Sequence, residues 1–375
     1  MIYFDSAASY PILPEALEEL HSAYANLSAN PSSAHKAGEI AALKIEFARE
    51  IIADSIGALP SEIVFTSGAT ESNNLALKSH FHGSETREKR HLIISSIEHK
   101  CVHAIADYLH RTAGVRVSVV SPNRDGVITR DAVENALCDD TSLVSVMHIN
   151  NELGTANPID EIGALCFERG IKLHSDAAQS YLKVSIDVDD MNVDFLSLSA
   201  HKVGGPKGIG ALYIRDRRNR DIEPVVHGAG QEEGLRGGTL PTPLIASFGK
   251  AVEAFPEVYS EISSTSLKKY LLDRLQDLRV PYTVNGQSLP SLISLTLPEC
   301  DISSLFRSTS EKFALATGSA CSSKMIEASH VLVAIGLDRA LAERTLRLSF
   351  HHKLTKADCE LLCRELASNH KQLPI

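Results

Sequence analysis

The chain lacks the patterns that mark several large classes of protein. No apolar run among its 375 residues approaches the roughly 20 residues that a membrane span needs. No basic–apolar–small pattern opens the chain, as it would in a secretory signal. The formal net charge is −10, so no broad nucleic-acid-binding face is expected. Internal repeats and low-complexity tracts are also absent. We therefore expect a globular protein that acts without direct contact to nucleic acid or membrane.

Cysteines are few, odd in number and without a Cys-x-x-Cys pair: the chain has seven. This usage is typical of reduced thiols, and it predicts a cytoplasmic protein without a metal site. Four cysteines lie among apolar residues and are expected to be core or half-buried thiols: Cys101, Cys138, Cys166 and Cys300. Cys359 and Cys363 are one helical turn apart in an amphipathic pattern, which predicts packing.

Strand-like and helix-like segments alternate through the first two-thirds of the chain. Strands are predicted at 62–66, 92–95, 115–120, 143–149, 171–175 and 193–198, and helices at 101–111 and 160–169. This alternation predicts an α/β fold with a mostly parallel sheet covered by helices on both faces. After Pro243 the pattern changes to that of a smaller α+β domain. We expect a large domain at 12–245 and a small domain formed by 1–11 and 246–375.

A lysine between two apolar strand-like stretches is the most informative local feature. Lys202 lies in the run 199–210 (SAHKVGGPKGIG), a short turn of small and hydroxyl residues. An amine buried there has a lowered pKa and can form a Schiff base. An ordinary lysine at the end of a strand is the simpler alternative.

Other polar motifs follow strands of the same predicted sheet. Small residues at 66–74 (TSGATESNN) begin a helix and can hold a phosphate, although a plain helix cap is the alternative. No Gly-Lys-Ser/Thr follows, which excludes a nucleotide P-loop. In a pyridoxal phosphate site, Asp176 can keep the pyridine nitrogen protonated, while His99 can stack on the ring or move protons. Ligands of such sheets bind at the carboxyl ends of the strands, so these groups are expected to converge.

Together the motifs resemble those of the cysteine desulfurases, a group of the class V aminotransferase family. The resemblance implies an aspartate-aminotransferase-like fold, pyridoxal phosphate fold type I. It is carried by 65–72 (FTSGATES), 98–100 (EHK), 148–152 (HINNE), 176–180 (DAAQS), 201–208 (HKVGGPKG), 238–241 (GTLP) and 318–321 (GSAC). These motifs occur in the family's order and spacing over nearly the whole chain.

The resemblance implies a role for each matching residue. Four would surround the ring of pyridoxal 5'-phosphate: Lys202 as the Schiff-base lysine, Asp176 at the pyridine nitrogen, Gln179 at the phenolic oxygen and His99 stacked on the ring. The phosphate would be held by Ala69, Thr70, Ser199 and His201. Thr239 would reach the phosphate in a neighbouring subunit, which implies a homodimer. Asn151, beside the cofactor, and Arg347 would hold the carboxylate of the substrate L-cysteine, with help from Asn30.

Cys321 differs from the other six cysteines in its neighbours. It lies in 316–324 (ATGSACSSK), where small polar residues predict an exposed loop. The resemblance implies that Cys321 takes sulfur from L-cysteine as a persulfide and leaves L-alanine. The Gly-Ser-Ala-Cys form, on a loop at about 314–330, resembles the long-loop group, and the sulfur would pass on to an acceptor protein.

The sequence leaves alternatives for both the reaction and the pathway. Another enzyme of the same fold, such as a selenocysteine lyase or an aminotransferase, would not need a thiol in this loop. A binding or scaffold protein without catalysis is a further alternative, whereas Gly228 and Gly230 lack the third glycine that a nicotinamide enzyme requires. The acceptor pathways considered are iron–sulfur assembly, tRNA thiolation and DNA phosphorothioation. The altered motif at 4–11 (FDSAASYP) and the short C-terminus favour a specialised pathway such as the last.

Overall fold

The computed structural model describes residues 1–83, 89–219, 222–259, 261–286, 289–317 and 328–370. Its strands are β1 (Ile2–Tyr3), β2 (Ile63–Thr66), β3 (His91–Ser95), β4 (Arg116–Val120), β5 (Thr141–Ser145), β6 (Lys172–Asp176), β7 (Phe195–Ser199), β8 (Gly210–Ile214), β9 (Thr283–Asn285), β10 (Leu292–Thr296), β11 (Phe313–Ala314), β12 (Ala316–Thr317) and β13 (Thr345–Ser349). Its helices are α1 (Pro14–Asn26), α2 (Lys36–Asp54), α3 (Ala69–His82), α4 (Lys100–Ala113), α5 (Arg130–Glu134), α6 (Ile159–Glu168), α7 (Thr242–Val258), α8 (Glu261–Asp277), α9 (Ile302–Thr309), α10 (His330–Ala334), α11 (Arg339–Ala342) and α12 (Lys356–His370). The strand predicted at 143–149 is shorter than expected, since β5 ends at Ser145.

The larger sheet has seven strands in the order β2-β8-β7-β6-β5-β3-β4. Strand β8 runs antiparallel to both of its neighbours, β2 and β7, and the other neighbouring pairs are parallel. This order confirms the predicted, mostly parallel sheet. Because β2 and β7 both oppose β8, they run in the same direction as β3, β5 and β6. The carboxyl ends of these five strands therefore lie at one edge.

Both faces of this sheet are covered, as its alternating side chains show. Phe65 and Leu196 belong to a core cluster that includes buried residues of α2, α6 and α7. Their chain neighbours Val64 and Phe195 belong to a second cluster, formed with α3 and α4 on the opposite face. Successive residues of a strand point to opposite faces, so the apolar runs of these strands follow from burial on both sides.

A separate core forms around the four-stranded antiparallel sheet β12-β13-β10-β9. Helices α8, α9 and α12 supply its apolar residues, and the predicted packing pair Cys359 and Cys363 is completely buried among them. Phe4 also packs in this core, and β1 pairs in parallel with β11. The first residues of the chain thus add to a unit formed mainly by the last third.

The two cores indicate where the chain divides. Buried residues of α7, such as Phe248 and Phe255, pack with the large sheet, whereas Leu271 of α8 packs in the smaller core. We therefore propose a boundary between α7 and α8 rather than at residue 245. Among the described helices, none is both long and apolar enough to cross a bilayer.

Candidate active site

A cavity of about 630 Å³ lies at the edge where the carboxyl ends of the parallel strands meet. Its wall brings together ten of the predicted site residues: Ala69, Thr70, His99, Asn151, Asp176, Gln179, Ser199, His201, Lys202 and Arg347. Nine of them lie on or after β2, β3, β5, β6 and β7, and Arg347 comes from β13 of the smaller sheet. The cavity is therefore built from both cores.

Three predicted site residues are not placed in this wall. Asn30 is exposed, and its Oδ1 accepts a hydrogen bond from the Ser32 amide at 2.9 Å. Thr239 is also exposed, shortly before α7. Cys321 lies outside the described residues. The roles of these three residues stay predictions.

The amine of Lys202 reaches the N-terminal segment. Its Nζ donates hydrogen bonds to the carbonyl oxygens of Ala7 at 2.7 Å and Ala8 at 3.0 Å. Burial and the positive charge of Arg347 lower the pKa of Lys202 to about 8, against the opposing effect of nearby carboxylates. An amine with this pKa is partly neutral near physiological pH and is therefore able to attack a carbonyl carbon.

The pH dependence of cofactor uptake should report this pKa. The rate at which cofactor-free protein binds pyridoxal phosphate should rise with pH by about tenfold per unit below pH 8 and level off above it, because only the neutral amine reacts with an aldehyde. Stopped-flow absorbance between pH 6 and 10 measures this rate. A plateau already at pH 6, or a continued rise to pH 10, would contradict the assignment to Lys202.

A second lysine lies close to the first but is not part of the cavity wall. Burial and the charge of Lys202 lower the pKa of Lys183 to about 7. Its Nζ donates to Gln179 Oε1 at 3.4 Å, and Gln179 Nε2 donates to the Ala7 carbonyl at 2.7 Å. Lys183 thus orients the amide of Gln179, whereas Lys202 lines the cavity, as does the exposed Lys207.

Asp176 is an almost fully buried carboxylate at the end of β6. Its Oδ1 accepts a hydrogen bond from the Ala178 amide at 2.9 Å, and its Oδ2 accepts one from Asn73 Nδ2 at 2.8 Å. Donors on both oxygens fix the orientation of the carboxylate. Asp176 can therefore hold a protonated ring nitrogen by a charge-assisted hydrogen bond.

The first turn of α3 forms the end of the cavity suited to a phosphate. Gly68 precedes this helix with a φ of 146°, in the region that favours glycine, and it has no side chain to cap the helix amides. A Cβ built at Gly68 would only contact Ser199 Oγ at 3.9 Å, so it is the positive φ, and not a lack of space, that favours glycine here. Backbone amides and the helix dipole make such a turn an anion site. This cradle fits the phosphate of pyridoxal phosphate.

Arg347 offers an edge of its guanidinium to the cavity. Its Nη1 donates to the Asn151 carbonyl at 3.0 Å, and its Nη2 forms an ion pair with Asp5 at 2.7 Å. Its Nε is buried and has no hydrogen-bond partner within the described part of the chain. A buried N–H without a partner is costly, and a carboxylate would satisfy it. The predicted binding of the substrate carboxylate fits this orphaned donor.

His99 and Glu98 lie at the turn between β3 and α4. His99 caps α4, since its Nδ1 accepts a hydrogen bond from the Cys101 amide at 3.2 Å. Glu98 is fully buried, and burial raises its pKa to about 8 despite donors from Ser95 and Met147. A neutral Glu98 therefore supports the turn that carries His99, without adding a charge beside Asp176.

The structure corrects the interpretation of one cysteine, Cys138, and adds residues that the sequence reasoning missed. Cys138 is exposed, with Arg116 Nη2 2.7 Å from its Sγ, so it is not a core thiol. Cys101 lines the cavity and contacts His99. Asn73, Cys101 and Asp5 were missed because their importance comes from contacts across the fold. Asn73 alone carries a local signal, since it is one helical turn after the phosphate-binding residues of α3.

The geometry as a whole fits pyridoxal phosphate. A phosphate cradle, a carboxylate for the ring nitrogen and a nucleophilic lysine border one cavity, and the orphaned Nε of Arg347 remains for a substrate carboxylate. Within the described ranges, no group of three or more His, Cys, Asp or Glu residues could hold a metal ion.

Comparisons with known proteins point in the same direction. The family model of the class-V aminotransferases matches residues 2–362. The cysteine desulfurase IscS of Aeromonas hydrophila is 41% identical over 369 residues, which cover 96% of this chain and 90% of that protein. A mitochondrial cysteine desulfurase of Eremothecium gossypii is 41% identical over 372 residues, with coverage of 97% and 75%. A solved structure described as SspA in complex with cysteine has a TM-score of 0.85 at 46% identity, covering 95% of this chain and 100% of that one.

Proposed function

Since the chain belongs to the class-V aminotransferase family and, within it, to the pyridoxal phosphate-dependent cysteine desulfurases, we propose that it converts L-cysteine to L-alanine and loads the sulfur on Cys321. The observation that carries this proposal is the Lys202 amine, which shares a cavity with Asp176 and with the orphaned Nε of Arg347. These three groups can serve the cofactor aldehyde, the cofactor nitrogen and the substrate carboxylate.

Each group has a separate task in the first half of the reaction. Pyridoxal phosphate, when bound, supplies an electron-withdrawing ring that makes the α-proton of the substrate acidic. Arg347 binds the substrate carboxylate and, with Asn151, fixes its orientation. Asp176 holds the ring nitrogen in its protonated form. Lys202 takes the α-proton with its neutral amine, for which its lowered pKa is suited.

Sulfur transfer requires a thiol, and Cys321 is the residue we propose. The thiolate of Cys321 attacks the substrate sulfur, so that an S–S bond forms while the Cβ–S bond breaks. The electron pair of the broken bond stays with Cβ, which gains a proton and becomes the methyl group of alanine. One thiol and one L-cysteine thus give one persulfide and one L-alanine, with no external oxidant or reductant.

We extend the proposal to assembly, acceptor and location. Thr239 is exposed and outside the cavity of its own chain, as expected if it completes the phosphate site of a second subunit in a homodimer. The persulfide sulfur passes to a protein of a specialised pathway. DNA phosphorothioation is the first pathway to test, and iron–sulfur assembly and tRNA thiolation are the other two. All six described cysteines are free, which supports a reducing compartment such as the cytoplasm.

The test is the stoichiometry of the products. Purified protein with pyridoxal phosphate should form L-alanine from L-cysteine and release, on reduction, one equivalent of sulfide per alanine. Alanine that appears only when pyruvate is added, with 3-mercaptopyruvate formed in place of the persulfide, would show an aminotransferase instead. A preference for L-selenocysteine of about a hundredfold or more in kcat/KM would favour a selenocysteine lyase. A colourless protein that turns over neither substrate would support a role as a scaffold.

A further inference from the structure

A chain of hydrogen bonds connects the two groups expected on either side of the cofactor ring. Asn73 Nδ2 is 2.8 Å from Asp176 Oδ2 and 3.3 Å from Cys101 Sγ. Cys101 Sγ in turn is 3.0 Å from His99 Nδ1. Asn73 is completely buried, and Cys101 is partly buried in the cavity wall. The contacts link Asp176 to His99 through an amide and a thiol.

The backbone amide of Cys101 determines the direction of the hydrogen bonds between Asp176 and His99. The amide N–H of Cys101 can only donate, and it points to His99 Nδ1 at 3.2 Å. Nδ1 is therefore an acceptor, so in its 3.0 Å contact with Nδ1 the Cys101 thiol is the donor, and the Thr70 hydroxyl, which also bonds the thiol, donates to Sγ. The Cys101 Sγ is then the acceptor for Asn73, whose other N–H donates to Asp176. Because a neutral imidazole carries one proton, that of His99 is on Nε2.

We propose that Cys101 is a positioning residue, whose thiol proton holds His99 in the Nε2–H form, so that His99 presents a hydrogen-bond donor to the cavity. This inference rests on the proposed function, because it specifies what His99 does there. In this form His99 cannot accept the α-proton at Nδ1, which is engaged, or at Nε2, which is protonated. Lys202 is then the base, and His99 orients the substrate or stacks on the ring.

The surroundings of both side chains agree with this arrangement. Burial raises the pKa of Cys101 to about 11, so its thiol keeps the proton that it donates. Burial also lowers the pKa of His99. Among the charges that face His99, Asp176 on β6 opposes this effect, whereas Lys202 after β7, His330 on α10 and Lys100 on α4 add to it. The imidazole is therefore neutral around pH 7, as the proposal requires.

Nuclear magnetic resonance of the holoenzyme tests the proposal without measuring activity. In protein labelled with ¹⁵N-histidine, the His99 signals, assigned by their loss in His99→Gln, should show a protonated Nε2 and an unprotonated Nδ1. In Cys101→Ala the titration midpoint of His99 should rise by about 0.5–1 pH unit, the effect of losing one hydrogen bond to the neutral ring. Cys101→Ser keeps a donor of similar size, so it should restore the wild-type midpoint to within about 0.2 unit.

A control variant and three contrary results keep the test decisive. Cys166→Ala removes a buried thiol of the core cluster on the opposite side of the sheet from α4, and it should leave His99 unchanged. A wild-type His99 with its proton on Nδ1 would overturn the proposal, as would equal midpoints in Cys101→Ala and wild type, or a failure of serine to restore the midpoint. These readouts do not depend on desulfuration. A failure of the proposed function and a failure of this inference can therefore be distinguished.

Discussion

Replacement of Lys202 by alanine is expected to reduce alanine formation from L-cysteine by about a thousandfold or more. The variant loses the amine that we propose reacts with the cofactor aldehyde and then removes the α-proton. The nearby Lys183 cannot take over at once, since it is bonded to Gln179 and does not line the cavity, whereas the second lysine of the cavity wall, Lys207, is exposed. The visible absorption of the bound cofactor should change together with the rate. Alanine formation and absorbance spectra of the purified variant measure both effects.

A matched lysine variant shows whether the effect is specific. Lys250→Ala removes an exposed amine of α7 that pairs with Glu253 of the same helix, so its activity should stay within about twofold of wild type. Thermal unfolding of both variants should confirm that they are folded. A Lys202→Ala protein that is folded and retains a tenth of the wild-type rate would contradict the proposed roles of this amine.

Replacement of Cys321 by alanine should leave cofactor and substrate binding intact but abolish sulfur transfer. Without this thiol no S–S bond can form, so the persulfide should be absent and alanine formation without added thiols should fall by about a hundredfold or more. The spectrum of the bound cofactor and its change on addition of L-cysteine should be those of wild type. Mass spectrometry of the intact protein after one turnover detects the 32-Da gain of sulfur that wild type should show.

The matched control for this variant is a thiol outside the cavity. Cys138 is exposed; burial raises the pKa of its thiol, but hydrogen bonds from Thr141 and Arg116 together bring the pKa below its usual value. It is the described cysteine best able to compete as a nucleophile. Cys138→Ala should nevertheless keep the wild-type rate and gain of mass. A reversed result, with sulfur found on Cys138, would show that Cys321 is not the acceptor.

The sequence predicted most of the cavity because its motifs follow strands. Asp176 is the last residue of β6, and Ala69, His99 and Lys202 come after β2, β3 and β7. Parallel strands bring their carboxyl ends to one edge whatever the details of packing. The alternation of strands and helices was also sufficient for the mostly parallel sheet. The antiparallel direction of β8 was not predicted, because an apolar run such as that of β8 does not by itself define the direction of a strand.

The parts of the site that the sequence did not predict depend on contacts between residues that are distant in sequence. Asp5 and Arg347 are separated by 342 positions, yet they form an ion pair beside the cavity. Cys101 resembles a packing residue by its apolar neighbours, and only the position of α3 against α4 places it between Asn73 and His99. Cys138 has similar neighbours, but it lies just before β5, where it is exposed. Local composition does not distinguish these environments.

Identification of the lysine that holds the cofactor tests the central claim most directly. Borohydride treatment of the holoenzyme fixes the cofactor to its lysine, and peptide mass spectrometry then locates the modified residue. Modification of Lys202 at close to one equivalent per chain is the result that we predict. Modification of Lys183, the neighbouring amine with the lower pKa, of the cavity-lining Lys207, or of any lysine outside the cavity would contradict the account.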